Sequence, residues 1–179
     1  MRPIELREAF AREGIDVARY FGFATVRNPW QRVVSLFQMT QRNFRLWLND
    51  GDFERWLTSI DPENPLKPPT DSKWYDHGLL NYHSFLRDSQ LLQPEVRTYR
   101  VEDQLQLMLA DLSACCGIDL SASVPHINRS ASNASYQSYY NDRTRALVEM
   151  HYKGDIAAYG YCFEGILAAV SESACSPAT

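Results

Sequence analysis

Apolar and polar positions change period several times along this chain, and each change marks an element. Residues 4–14 carry Leu6, Ala9 and Phe10 on one face at helical spacing, and Gly14 supplies a stop. From Tyr20 to Val26 the run is apolar on both faces apart from Thr25, with Gly22 its weak spot, which predicts a strand covered on both sides. Helical spacing then returns and continues to about Arg42 or Phe44. A short helix follows over Phe53–Ile60, capped by Asp52 or Asp50, and the proline-rich stretch from Asp61 to Asp71 reads as a loop. Val96–Val101 is a second short strand. Glu102–Cys116 is an amphipathic helix carrying Leu105, Leu109 and Leu112 and ended by Gly117. Ser121–Tyr136 is rich in Ser, Asn and Ala and predicts a long loop. A last helix starts near Asn141 and Asp142 and runs toward Lys153–Gly154, with a further turn through Ile156 and Tyr159. Strands alternating with helices predict one α/β domain over residues 1–170, with 171–179 a flexible tail.

The passage from the first strand into its helix carries the most chemistry. Asn28 is a good N-cap, Pro29 suits the first helical position, and Gln31 stands where a capping box would place it. A strand entering a helix N-terminus gathers free backbone N–H groups at the positive end of a helix dipole, which makes an anion site. Arg27 lies at the strand's C-terminal end, where open α/β sheets bind ligands, and its planar fork suits phosphate oxygens. Asn28, Arg32 and Ser35, spaced by four and three, share a face, while Trp30, Val33, Val34 and Phe37 fall on the other. The competing reading pairs Arg27 and Arg32 with nearby carboxylates and leaves Ser35 as an ordinary surface hydroxyl.

Val26-Arg27-Asn28-Pro29-Trp30-Gln31-Arg32-Val33-Val34-Ser35 resembles the 3′-phosphate-binding element of sulfotransferases that use 3′-phosphoadenosine 5′-phosphosulfate (PAPS), in the carbohydrate-type branch. Further stretches are similar to that family in the same order: Ile4–Glu8 with Tyr20–Phe23, Tyr99–Asp103, Pro125–Ser130 with Tyr139-Tyr140, then Asp155-Ile156 and Tyr159–Phe163. The resemblance covers residues 4 to 164. It implies a P-loop-NTPase-like sulfotransferase fold, a three-layer domain with a parallel sheet, and transfer of a sulfuryl group from PAPS to a hydroxyl acceptor, carbohydrate or other. It implies 3′-phosphate contacts from Arg27 and Ser35, with Arg129 on the same side, and a structural role for Arg32. 3′-Phosphoadenosine 5′-phosphate (PAP) would be the product. The resemblance implies no metal.

The chain departs from the family at its start. Members begin with a strand and a loop holding Lys, Gly and Ser or Thr on the 5′-phosphosulfate. Here Lys67, Lys73 and Lys153 are the only lysines, and all follow Arg27. The domain therefore reads as N-terminally incomplete. The strand before Arg27 is then expected to have an open edge, through which a homodimer could form. A non-catalytic remnant that binds PAP or a partner is the alternative to the transferase. The base that takes the acceptor's proton is not fixed by the resemblance; His77 and His83 are candidates, each against a structural role. Tyr136, Tyr139 and Tyr140 could stack on adenine or pack against helices.

Composition narrows this only slightly. With 179 residues, 45% of them hydrophobic, a folded domain with a core is expected, and a net charge of −4 argues against general nucleic-acid binding. No apolar run reaches membrane-spanning length. Adjacent Cys115 and Cys116, with Cys162 and Cys175 apart, lack metal-ligand spacing and fit small core residues or surface thiols in a reducing, cytoplasmic setting.

Overall fold

The structure, a computed structural model, describes residues 3–16, 19–44, 49–58, 81–87, 96–120 and 135–167. Helix α1 (Pro3–Arg12) is closed by Gly14 at φ 65°, the left-handed stop expected from its sequence. Strand β1 (Phe23–Val26) leads through Arg27 and Asn28 into the longest helix, α2 (Pro29–Phe44). A 3₁₀ turn over Asp50–Asp52 opens α3 (Phe53–Thr58). Next come α4 (Tyr82–Arg87), β2 (Arg97–Arg100) and α5 (Leu105–Cys116), which ends on the left-handed Gly117. A 3₁₀ turn over Tyr136–Tyr139 precedes α6 (Asp142–His151) and α7 (Lys153–Tyr159). Two-residue strands β3 (Tyr161–Cys162) and β4 (Gly165–Ile166) close the described chain as a small hairpin.

The architecture is mixed α/β and mostly helical. β1 and β2 pair in parallel, Phe23 opposite Arg97 and Val26 opposite Arg100, and Val101 N–H extends the ladder to the Val26 carbonyl at 3.0 Å. Among the described residues no further strand joins them. The strand is shorter and barer than its composition predicts. Phe23 is 45% exposed and Thr25 is exposed, while Val26 is buried. A strand apolar on both faces is therefore covered mainly at its C-terminal end. Gly22 admits the close approach of Val96, whose Cγ2 would lie 3.2 Å from any Cβ placed there.

The core forms where α2 meets α3 and the end of α6. Trp30, Val33, Val34, Leu36 and Phe37 pack with Phe53, Leu57, Val148 and Tyr152. Edge-to-face aromatic contacts tie it together, Phe37 to Phe53 at 5.3 Å and Phe53 to Tyr140 at 5.0 Å. Trp30 also donates its indole N–H to the Arg145 carbonyl at 3.2 Å. α2 is thus buried around most of its circumference. Between Pro29 and Met39 the positions left partly open are Gln31, Ser35, Gln38 and Met39, one line along the helix. α6 starts as expected at Asn141, whose side chain accepts from Thr144 N–H in a capping box completed by the Thr144 hydroxyl.

Candidate functional site

The first turn of α2 has no backbone N–H to spare. Asn28 N–H donates to Glu102 Oε1 at 2.8 Å, and Pro29 has none. Trp30 and Gln31 N–H donate to Asn28 Oδ1 at 3.1 and 3.4 Å, and Arg32 N–H reaches the Asn28 carbonyl at 2.9 Å. The free donors that the sequence led us to expect at this helix end are all occupied by the protein's own groups. An anion arriving here would meet side chains and a helix dipole already faced by the Glu102 carboxylate.

The same junction gathers segments distant in sequence. Asn28 Nδ2 donates to the Cys162 and Gly165 carbonyls at 2.9 and 3.0 Å, which fastens the β3–β4 hairpin to the start of α2. Glu102 Oε2 accepts from the Tyr161 hydroxyl at 3.0 Å. Burial above all, and then the Glu102 charge, hold that phenol far above its ordinary titration range, so it stays a donor. Arg100 donates to the Tyr159 carbonyl at 3.1 Å and pairs with Asp103 at 2.7 Å. Glu102 thus acts on the start of α2 and not on α5, the helix that follows it.

Arg32 also turns inward. Only 6% exposed, it pairs with the buried Asp155 at 3.2 Å, between the rings of Tyr82 at 3.9 Å and Tyr152 at 4.5 Å. Burial is the largest influence on this guanidinium and opposes its charge, but Tyr152, Tyr82 and Asp155 outweigh it and raise its pKa. Asp155 also accepts from Tyr82 and His83 N–H at 3.0 and 2.6 Å, so this one carboxylate joins α2 to the start of α4. Arg32 is committed to the interior. The polar face of Asn28, Arg32 and Ser35 therefore splits, with two members inside and one at the surface.

The outward members differ in kind. Arg27 is half-buried at the C-terminal end of β1, with Nε donating to Gln31 Oε1 at 3.4 Å and no carboxylate partner among the described residues. Ser35 is half-buried, and its hydroxyl makes no hydrogen bond among the described residues. Arg27, Gln31 and Ser35 follow one another at intervals of four, so the line that α2 leaves open begins with a cation. By sequence Gln31 suits a capping role. Its spacing from Arg27 and Ser35 was the available signal, overshadowed by Asn28 and Arg32.

The remaining candidates fare unevenly. His83 is half-buried on α4, its ring edge against Gly154, where a Cβ would come within 3.3 Å of His83 Cδ2. His77 and Arg129 lie outside the described residues, as do Asn128 and Ser130. Tyr139 and Tyr140 take the packing role: Tyr139 meets Phe37 and Phe53, and Tyr140 donates to the Trp30 carbonyl at 2.9 Å. Cys115 and Cys116 are exposed thiols, and Cys162 is half-buried. Among the described residues no group of three or more His, Cys, Asp and Glu is placed to hold a metal, and no helix is long and apolar enough to cross a membrane. No protein-family model matches the chain, and no curated protein or solved structure is detectably similar to it.

Proposed function

We propose that this chain binds 3′-phosphoadenosine nucleotides of the PAPS and PAP type, with the 3′-phosphate held by Arg27 and Ser35. In this reading it is part of a sulfotransferase-like domain of P-loop-type fold that serves sulfuryl transfer from PAPS to a hydroxyl acceptor, such as a carbohydrate. The observation that carries the reading is Arg27 itself. A half-buried guanidinium at the C-terminal end of a parallel strand, without a carboxylate partner among the described residues, heads an open helical line that includes a hydroxyl two turns on. Arg32, Arg97 and Arg100, by contrast, each have an aspartate. Sulfuryl transfer also needs donors on the oxygens that gain charge and a base for the acceptor. His83, its backbone fixed by Asp155, is the described candidate for that base.

Calorimetric titration of the chain with PAP tests the binding. Hydrogen bonds to charged groups set the expectation that Arg27→Ala weakens binding by roughly 10- to 100-fold and Ser35→Ala by a smaller factor. A folded chain that binds no PAP would end the reading. Binding without transfer from PAPS to hydroxyl acceptors would leave a non-catalytic nucleotide binder. A second reading rests on β1, which pairs only with β2 among the described residues and leaves Phe23 exposed. Its free edge would be completed by the same strand of another copy. Concentration-dependent dimerisation in sedimentation, without affinity for PAP, would favour that second reading.

A further inference from the structure

The side chain of Gln31 does no evident work for its own helix. Its backbone N–H is already capped by Asn28, and its amide turns instead to Arg27, accepting from Nε at 3.4 Å. A guanidinium tethered at Nε leaves its two terminal nitrogens free to meet two oxygens of one oxyanion. The amide thus presents its oxygen to the guanidinium.

We infer that Gln31 is a positioning residue, which fixes the Arg27 fork for a terminal phosphate dianion before that ligand arrives. The tether stands on geometry, while the identity of the ligand rests on the nucleotide reading above. An arginine loses much rotamer freedom when it is immobilised, and a contact made beforehand removes that loss from the binding step. Gln31 belongs to neither the interior ion pair nor the core cluster, so its removal should leave the fold unchanged.

The experiment follows the Arg27 Nε–Hε resonance by NMR in the full chain and in Gln31→Leu and Gln31→Glu, and titrates each with PAP. In the wild type the Nε proton should exchange slowly with water, and in Gln31→Leu it should exchange faster while backbone resonances elsewhere stay put. PAP affinity should fall by about three- to tenfold in Gln31→Leu, the range for one modest hydrogen bond. It should fall further in Gln31→Glu, where a carboxylate pairs with Arg27 and repels the phosphate. Unchanged Nε–Hε exchange in Gln31→Leu, or undiminished PAP affinity, overturns the inference. A wild-type chain that shows the tether yet binds no PAP overturns the nucleotide reading, and with it the phosphate role given to Gln31.

Discussion

Two sets of polar residues leave the same stretch of chain in opposite directions. Asn28 and Arg32 turn inward and are surrounded: Asn28 makes side-chain hydrogen bonds to α2 and to the β3–β4 hairpin, and Arg32 lies against an aspartate and two tyrosine rings. Arg27 and Ser35 turn outward, and the described protein offers them little beyond Gln31. Residue type does not distinguish the sets, since each holds an arginine. What distinguishes them is burial and a charge partner: Arg32 is shut inside against Asp155 and two rings, with its Nε and Nη1 buried and without a hydrogen-bond partner among the described residues, whereas Arg27 is half-buried and faces no carboxylate there. A buried charge that is paired is architecture, whereas a half-buried one without a counter-charge is held ready for something else.

The sharpest way to break this contrast is Asp155→Ala. It strands the Arg32 charge in the interior and removes the acceptor of two α4 amides, so a loss of about 3–5 kcal/mol is expected by chemical denaturation. A cost under about 1 kcal/mol would show that the inward set is not structural. The interior also carries an alkaline signature. Burial, its largest influence, raises the Tyr152 phenol from its ordinary value near 10 to about 12. The folded state therefore keeps this proton longer than the unfolded chain does. Its contribution is full below about pH 10 and is lost as pH rises toward 12, up to about 3 kcal/mol. Tyr152→Phe keeps the ring beside Arg32 and should make that part of the stability–pH curve shallower, with the raised Tyr140, Tyr159 and Tyr161 phenols still contributing. The smallest effects belong to the outward set. Arg27→Ala and Ser35→Ala should each change stability by less than about 0.5 kcal/mol, whatever they do to ligand affinity. A larger loss in either thermal or denaturant unfolding would move that residue into the structural class.

Local signals in the sequence were legible because their causes are local. Gly14 and Gly117 end helices where a left-handed residue is required, and Asn141 with Thr144 starts one through a reciprocal pair of hydrogen bonds. The α2 stripe of Trp30, Val33, Val34 and Phe37 is core, as its period requires. The failures share a different cause. Nothing near Glu102 shows that it will cap Asn28, and nothing near Asp155 shows that it will take up Arg32 and the first amides of α4. Those contacts span 74 and 123 positions. The helix N-terminus looked open because its occupant comes from elsewhere, and β1 looked covered because composition does not reveal how many strands lie beside it. For the candidate site, the resemblance pointed to Arg27 and Ser35, both of which are half-buried, while the contact of Gln31 with Arg27 was hidden behind its use as a cap.

The Glu102–Asn28 bond also bears on the order in which the molecule assembles. Bringing together groups 74 positions apart costs on the order of 4 kcal/mol in chain entropy alone. Much of the aromatic cluster is cheaper to close, because Phe37, Phe53 and Trp56 lie close along the chain and meet directly across the turn between α2 and α3. The α2–α3 part of the cluster can therefore gather early, and the parallel strands with the junction at Arg27 come together late. On the way out the sequence reverses. In rising denaturant, the outward arginine would lose its fixed surroundings while Phe37, Phe53 and Trp56 are still packed together, so ligand affinity would fade before the local α2–α3 contacts are lost.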